Sequence, residues 1–281
     1  MSSYANQPEK WQENIRTAAR WITEADGLLI TAGAGMGVDS GLPDFRGREG
    51  FWRAYPPLEH LDLDFEEIAS GGTMHRMPRL CWGFYGHRLA LYRRTEPHEG
   101  FRILRRWAEG LTHGAFVFTS NVDGQFQKAG YPEERIMECH GSIHHLQCTK
   151  HVWPADDFLP EVDMRACELK NDLPLCPYCG ERARPNVLMF NDYGWIDQRT
   201  ALQEIRLRDW LAGTERQVVV EMGAGKAIAT VRRFSERHGP RVVRINPVDF
   251  KIASHLGIGI QGGALEVLRA IDAVRQRENL S

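Results

Sequence analysis

The sequence predicts an α/β fold, a doubly wound parallel sheet carrying a smaller lobe, and three observations predict it. Short apolar runs at Leu28–Ala32, Ala115–Thr119, 217–221 and 241–246 alternate with stretches of helical spacing. A glycine-rich turn follows the first run at once, where a strand would hand over to a helix. Further on, Cys176-Pro-Tyr-Cys179 has metal-ligand spacing, the mark of a small metal-bound lobe.

Composition is consistent with that architecture. The 281 residues suffice for one large domain with a smaller lobe, and a hydrophobic content of 42% fills a sizeable core. The formal net charge is −2 and basic runs stop at pairs such as Arg93-Arg94, which argues against nucleic acid as a partner. No apolar stretch approaches the length of a membrane span, and the polar start MSSYANQPEKWQEN lacks the apolar core of a secretory signal. The expectation is a cytoplasmic protein with no membrane partner. Six cysteines are too few and too clustered for a disulfide framework.

Taken in order, Trp11, Ile15, Ala18, Ala19 and Ile22 recur at helical spacing over 9–24. Leu28–Ala32 then reads as a buried parallel strand. Gly33, Gly35 and Gly37 remove side chains beyond its end, so that backbone N–H groups could reach a diphosphate. The turn is not the G-x-G-x-x-G fingerprint, since Val38 and Ser40 stand where the third glycine would fall. Its continuation, Ser40-Gly41-Leu42-Pro43-Asp44-Phe45-Arg46-Gly47, presents an acid, a ring and a guanidinium on a stiffened loop. Residues 51–72 show no clear period and read as an insertion.

A helix over 78–93 places Tyr85 and Arg88 on one face, which by itself fits an aromatic core stripe with a snorkelling arginine. A helix over 98–110, with Phe101, Leu104 and Trp107, feeds the strand Ala115–Thr119. The loop Ser120-Asn121-Val122-Asp123-Gly124 lies at that strand's carboxyl end, where open parallel sheets place ligands. Residues 135–139 form another short strand, ending in His140-Gly141-Ser142, and an imidazole there has the proton affinity of a general base.

Cys148-Thr-Lys-His151, 24 further residues and Cys176-Pro-Tyr-Cys179 make the two knuckles of a zinc ribbon. The simplest ligand set is Cys148, His151, Cys176 and Cys179, with Cys167 the fallback fourth ligand; a closed site of this kind is structural. The segment 184–192 returns to the sheet. A helix over 199–212 turns Leu202, Ile205 and Trp210 inward. The strand 217–221 leads to Gly223-Ala224-Gly225, 241–246 is the last clear strand, and 264–275 is the final helix.

These motifs, in this order from Gly33 to Ala264, resemble those of the sirtuins, the Sir2-like NAD-dependent protein deacylases. The resemblance implies a Rossmann-like NAD-binding domain over 1-50, 98-143 and 186-281, a helical insertion over 51-97 and a zinc-binding lobe over 144-185. It implies NAD and a structural zinc ion as cofactors, and acyl-lysine proteins or peptides as partners. Gly33, Ala34 and Gly35 would line the diphosphate, Phe45 would shield the reacting ribose, and Arg46 and Asp44 belong to the same cofactor loop. Ser120, Asn121 and Asp123 would meet the ribose and nicotinamide. Asn246, Ala264 and Gly223-Ala224-Gly225 would surround the adenosine end. His140 would act as general base, with Asn121 beside the attacking chemistry. Residues 184–192 would pair with the substrate peptide, with Val187 on the acyl-lysine tunnel and Phe190 beside it. Phe84-Tyr85-x-x-Arg88 resembles the pattern of family members that prefer acidic acyl groups such as succinyl and malonyl, whose terminal carboxylate a phenol and a guanidinium bind.

The chain departs from the family at four places. Gly37 stands for a frequent serine, Ser120 for glutamine, His151 for a cysteine, and Gly223-Ala224-Gly225 for Gly-Thr-Ser. The implied reaction transfers the acyl group from lysine to NAD, giving nicotinamide and O-acyl-ADP-ribose. Because the cofactor motifs are altered, two rivals stand beside it: an NAD glycohydrolase or ADP-ribosyltransferase, and a non-catalytic sensor of NAD or ADP-ribose.

Overall fold

A computed structural model describes residues 7–44 and 47–278. The chain opens with helix α1 (Gln7–Glu24) and strand β1 (Leu28–Ala32), then runs through α2 (Gly47–Ala54), α3 (Pro56–His60), α4 (Phe65–Ile68), α5 (Gly71–Arg76), α6 (Pro78–Arg94) and α7 (Glu99–Glu109). Next come β2 (Ala115–Thr119), α8 (Gln125–Lys128), β3 (Ile136–Glu138), β4 (Gly141–Gln147), β5 (Val152–Pro154), β6 (Val162–Asp163), β7 (Glu168–Leu169) and β8 (Arg184–Val187). The last part is α9 (Gln198–Gly213), β9 (Val218–Met222), α10 (Thr230–Arg237), β10 (Val242–Ile245), β11 (Gly257–Ile260) and α11 (Ala264–Glu278).

The main sheet has six parallel strands in the order β11-β10-β9-β1-β2-β3. Successive strands run outward from β1 in one direction, and the chain then returns to fill the other half. The order therefore reverses between β1 and β9, and a crevice opens beyond their carboxyl ends. Both faces of the sheet are covered, which is why its strands read as continuous apolar runs. Leu28, Ile30 and Ala32 point into one core with α1, α7 and α11, while Leu29 joins Phe116, Phe118 and Val219 in the other core with α9 and α10.

One polar layer crosses the sheet near its carboxyl end. Thr31, Glu221 and Arg244 are register partners on adjacent strands. Arg244 is fully buried, pairs with Glu221 through two nitrogens and reaches Glu236 of α10 at 2.8 Å, so the cation is matched before it is enclosed.

The strands read at Leu28–Ala32 and Ala115–Thr119 are present as predicted, and those at 135–139, 217–221 and 241–246 with ends shifted by a residue; the segment 184–192 does not return to the main sheet, because β8 pairs with β4 in a separate antiparallel sheet. The strand taken as the last, 241–246, is followed by β11, whose Gly257 and Gly259 lie against the backbones of Val242 and Phe250 with no room for a side chain. Helix α10 also lies outside the sequence reading. The segment read as an insertion without clear period, 51–72, lies within four short helices that run from Gly47 to Arg76. On α9, Trp210 is buried as expected, but Leu202 and Ile205 are 60% and 54% exposed; the inward residues are Thr200, Gln203, Leu207 and Trp210.

The smaller lobe joins α2 to α6 with a three-stranded antiparallel sheet, β5-β4-β8, and the ribbon β6-β7. They share one core. Phe51, Trp82, Phe84 and Leu89 of the helices pack in one cluster with Leu146, Cys167, Leu169 and Val187. No described helix is long and apolar enough to cross a membrane.

Candidate active site and metal centre

The crevice at the β1/β9 reversal is built from loops that leave the carboxyl ends of β1, β2, β3 and β9. Their spacing is set by the sheet. Gly33 N–H donates to Met222 O at 3.0 Å and Gly35 N–H to Gly223 O at 3.1 Å, so the β1 and β9 loops bond directly to each other. A Cβ on Gly33 would come within 2.8 Å of Gly223 O, and one on Gly35 within 2.7 Å of Gly223 Cα. Gly223 itself has φ 62, which favours glycine. Gly33 and Gly35 are thus committed to loop contact, while Ala34 between them is exposed and its N–H has no acceptor among the described residues.

After β2, Ser120 N–H donates to Ala32 O at 3.1 Å, and the Asn121 side-chain amide donates to Gly33 O at 3.1 Å. Asn121 is thereby fixed between the first two loops. Asp123 is buried, and its carboxylate accepts the Gln125 N–H at 2.9 Å. Burial pushes its carboxyl up to about 6, with Glu138 adding to the effect.

His140 lies just beyond the carboxyl end of β3 and is half-buried. Burial lowers its pKa below the ordinary value, against an opposing hydrogen bond to the Ser120 backbone, so the imidazole is neutral at pH 7. Its carbonyl accepts the Leu188 N–H at 2.9 Å, which ties the histidine to the segment after β8. Val187 is buried at the end of β8. Phe190 bonds through both backbone groups to the helical lobe, to Ala69 O and from Gly71 N–H. Arg184 and Asp192 form an ion pair across this segment, and Asp192 also accepts the Met189 and Gly194 N–H groups.

Around the β9 loop, Ala224 is buried and Gly225 is exposed. Asn246 is buried, and its amide donates to Ala224 O at 3.1 Å. Lys226, which follows the altered motif in sequence, pairs with Asp249 at 2.7 Å. Ala264 begins α11, whose Leu265 N–H donates to Asp39 at 2.8 Å. Asp44 closes the described part of the β1 loop; Phe45 and Arg46 lie outside the described residues.

On α6, Tyr85 and Arg88 are both buried. The Arg88 guanidinium lies 5.1 Å from the Phe84 ring centroid, 5.4 Å from that of Tyr92 and 6.0 Å from that of Tyr85, and its Nε donates to the Tyr92 hydroxyl at 2.8 Å. Burial pushes both phenols up, so they are neutral hydroxyls around a cation.

The metal-ligand group is Cys148, His151, Cys176 and Cys179, whose ligand atoms all lie within 4.8 Å of one another. Lys150 and His151 N–H groups each donate to Cys148 Sγ at 3.3 Å. Burial works against the Cys148 thiolate, but these N–H groups outweigh it and bring the thiol down to about 6. Three sulfurs and an imidazole nitrogen at this spacing suit a tetrahedral zinc ion with no open position. The fallback ligand is elsewhere: Cys167 is enclosed in the small-lobe core, where its backbone lies so close to Gly83 that no Cβ fits there.

Sequence reasoning missed Arg232, whose guanidinium reaches the Ala224 carbonyl, and Arg199, which pairs with the buried Glu138 at 2.8 Å. Neither carries a local signal; each acts across the fold.

The Sir2 family profile matches residues 33–218. An NAD-dependent protein deacylase 2 from Pyrobaculum aerophilum is 33% identical over 257 residues, covering 89% of this chain and 91% of the relative. An NAD-dependent protein deacylase from Pyrococcus abyssi is 29% identical over 266 residues, covering 93% and 98%. Among solved structures, a Sir2 homologue in complex with NAD superposes with a TM-score of 0.71 at 23% identity, covering 94% of each chain.

Proposed function

Because the chain belongs to the Sir2 family, we propose that it is an NAD-dependent protein-lysine deacylase that releases nicotinamide and O-acyl-ADP-ribose. The observation that carries this reading is His140, a neutral imidazole bonded through its own backbone to the segment expected to hold a peptide. The relatives bear the same activity in their names. When bound, NAD supplies an anomeric carbon whose bond to nicotinamide breaks as an acyl oxygen attacks it.

The chain's residues fit such a group. Ala34 is exposed between Gly33 and Gly35 with an N–H that has no acceptor among the described residues, and Gly225 leaves open space where a Cβ would meet nothing within 4 Å. These, with Asp44, Phe45, Arg46, Gly223, Ala224, Asn246 and Ala264, would hold the dinucleotide. Asp123 would accept the nicotinamide amide, while Asn121 and Ser120 would lie toward the ribose. His140 takes a proton from a ribose hydroxyl at its imidazole nitrogen and later returns it. Residues 184–192 align the peptide through backbone bonds, with Val187 and Phe190 flanking the acyl-lysine.

Acyl groups ending in a carboxylate are the preferred substrates. Support comes from the buried Arg88 guanidinium, set among neutral phenols, where an incoming carboxylate would gain a charge-assisted pair.

The decisive measurement follows nicotinamide release and peptide mass together, with acetyl-lysine and succinyl-lysine peptides. Peptide-dependent release matching acyl loss is expected, with His140→Ala reducing turnover by at least about a hundredfold while NAD still binds. Arg88→Met should abolish any preference for succinyl. Release without peptide points to the glycohydrolase or ADP-ribosyltransferase reading, and binding with no release points to a sensor.

A further inference from the structure

The loop after β9 is held by a clamp that the sequence does not advertise. The Ala224 carbonyl accepts two hydrogen bonds at 3.1 Å, one from Arg232 in the first turn of α10 and one from the Asn246 amide. The same Arg232 nitrogen donates to Asp249 O at 2.9 Å, and Asn246 Oδ1 accepts the N–H groups of Val248 and Asp249 at 3.0 and 2.8 Å. Arg232 and Asn246 therefore tie the β9 loop to the turn after β10.

A buried guanidinium is a costly way to make such a tie. Arg232 is 7% exposed; burial pulls its pKa down and Arg244 beside it adds repulsion, against which Glu221, Asp249 and Glu236 work. What the clamp fixes is the direction of one peptide plane. In a trans peptide the carbonyl and the following N–H point opposite ways. With Ala224 O held inward, the Gly225 N–H faces away from the clamp. Gly225 is exposed, a Cβ there would meet nothing within 4 Å, and its N–H has no acceptor among the described residues.

We propose that Arg232 is a positioning residue for the cofactor: it orients the Ala224–Gly225 peptide so that the Gly225 N–H binds an oxygen on the adenosine half of a dinucleotide. This rests on the NAD reading above. It also accounts for the altered motif, because an oriented backbone donor takes over from the hydroxyls that Ala224 and Gly225 lack.

Calorimetric titration of the full chain with ADP-ribose tests it. Arg232→Met should weaken binding about tenfold, the equivalent of one lost hydrogen bond, and Arg232→Lys should recover part of it. The KM for NAD should rise by a similar factor while kcat stays within about twofold, a split that general loosening of the fold would not produce. Gly225→Pro removes the N–H while keeping both clamp side chains, Arg232 and Asn246, and should weaken ADP-ribose to the same extent, which decides the matter if the Arg232 variants do not fold. Folded Arg232→Met or Gly225→Pro protein that binds ADP-ribose as the wild type does would overturn the proposal. Wild-type protein that fails to bind ADP-ribose would overturn the NAD reading itself.

Discussion

Asp123 shows how one buried side chain sets opposite demands on folding and function. Its carboxyl is pushed by burial from 3.8 to about 6. Between those values the native state keeps a proton that the unfolded chain has lost, so the stability contributed by this group is full below the window and falls away as pH rises through it. Binding an amide N–H needs the ionised form, so kcat/KM for deacylation should decline below about pH 6 in a pH–rate profile, on the same titration. Asp123→Asn should raise Tm at neutral pH, flatten its dependence between about pH 4 and 6, and depress turnover. A lower Tm at neutral pH would show that the carboxylate is not strained by its surroundings. The positions of Asn121, Asp123 and His140 were legible because all three lie in loops that leave the carboxyl ends of β2 and β3, where a parallel sheet exposes its loops. Arg232 was not, since it acts on a carbonyl eight residues away that only the fold brings within reach.

Helix α9 shows why an apolar pattern can mislead. Leu202 and Ile205 suggested an inward stripe, yet they face out while Gln203 faces in. The cause is the element beneath. β3 is an edge strand, and α9 completes its unpaired backbone: Gln203 Oε1 accepts the Glu138 N–H at 3.0 Å and the Thr200 hydroxyl donates to Glu138 O at 3.1 Å. Polar side chains are needed inward because backbone groups there need partners. Leu202→Gln and Ile205→Gln should each change stability by no more than about 0.5 kcal/mol in urea denaturation. Gln203→Leu, which strands a buried N–H, should cost about 1–3 kcal/mol. The strand β11 escaped notice for a related reason: glycines that permit backbone contact erase the alternation by which a strand is read.

Across the whole molecule, the helical and metal-bearing parts, separate in sequence, share one hydrophobic core. Spacing in the chain located the four ligands but could not reveal that common core, which depends on residues such as Trp82 and Cys167 meeting in space. Metal loss should therefore reach beyond the ribbon. Chelation is expected to give a two-step melt, in which the small lobe loosens first and the six-stranded sheet persists. His151→Ala should lower bound zinc well below one ion per chain. Cys167→Ala should retain a full complement while losing about 1 kcal/mol of stability. Equal zinc content in both variants would contradict the ligand assignment.

The contact between the β1 and β9 loops has a consequence for how such chains diverge. Gly33, Gly35 and Gly223 meet each other with no space for a methyl group, and no smaller residue exists to compensate for a change at any of them. Selection on folding alone would preserve all three, so a descendant that had stopped using a nucleotide would still display the glycine-rich signature. Gly225, which borders open space, is under no such protection from the fold. Drift at that position, rather than loss of the conspicuous glycines, would be the first inherited record of a ligand abandoned.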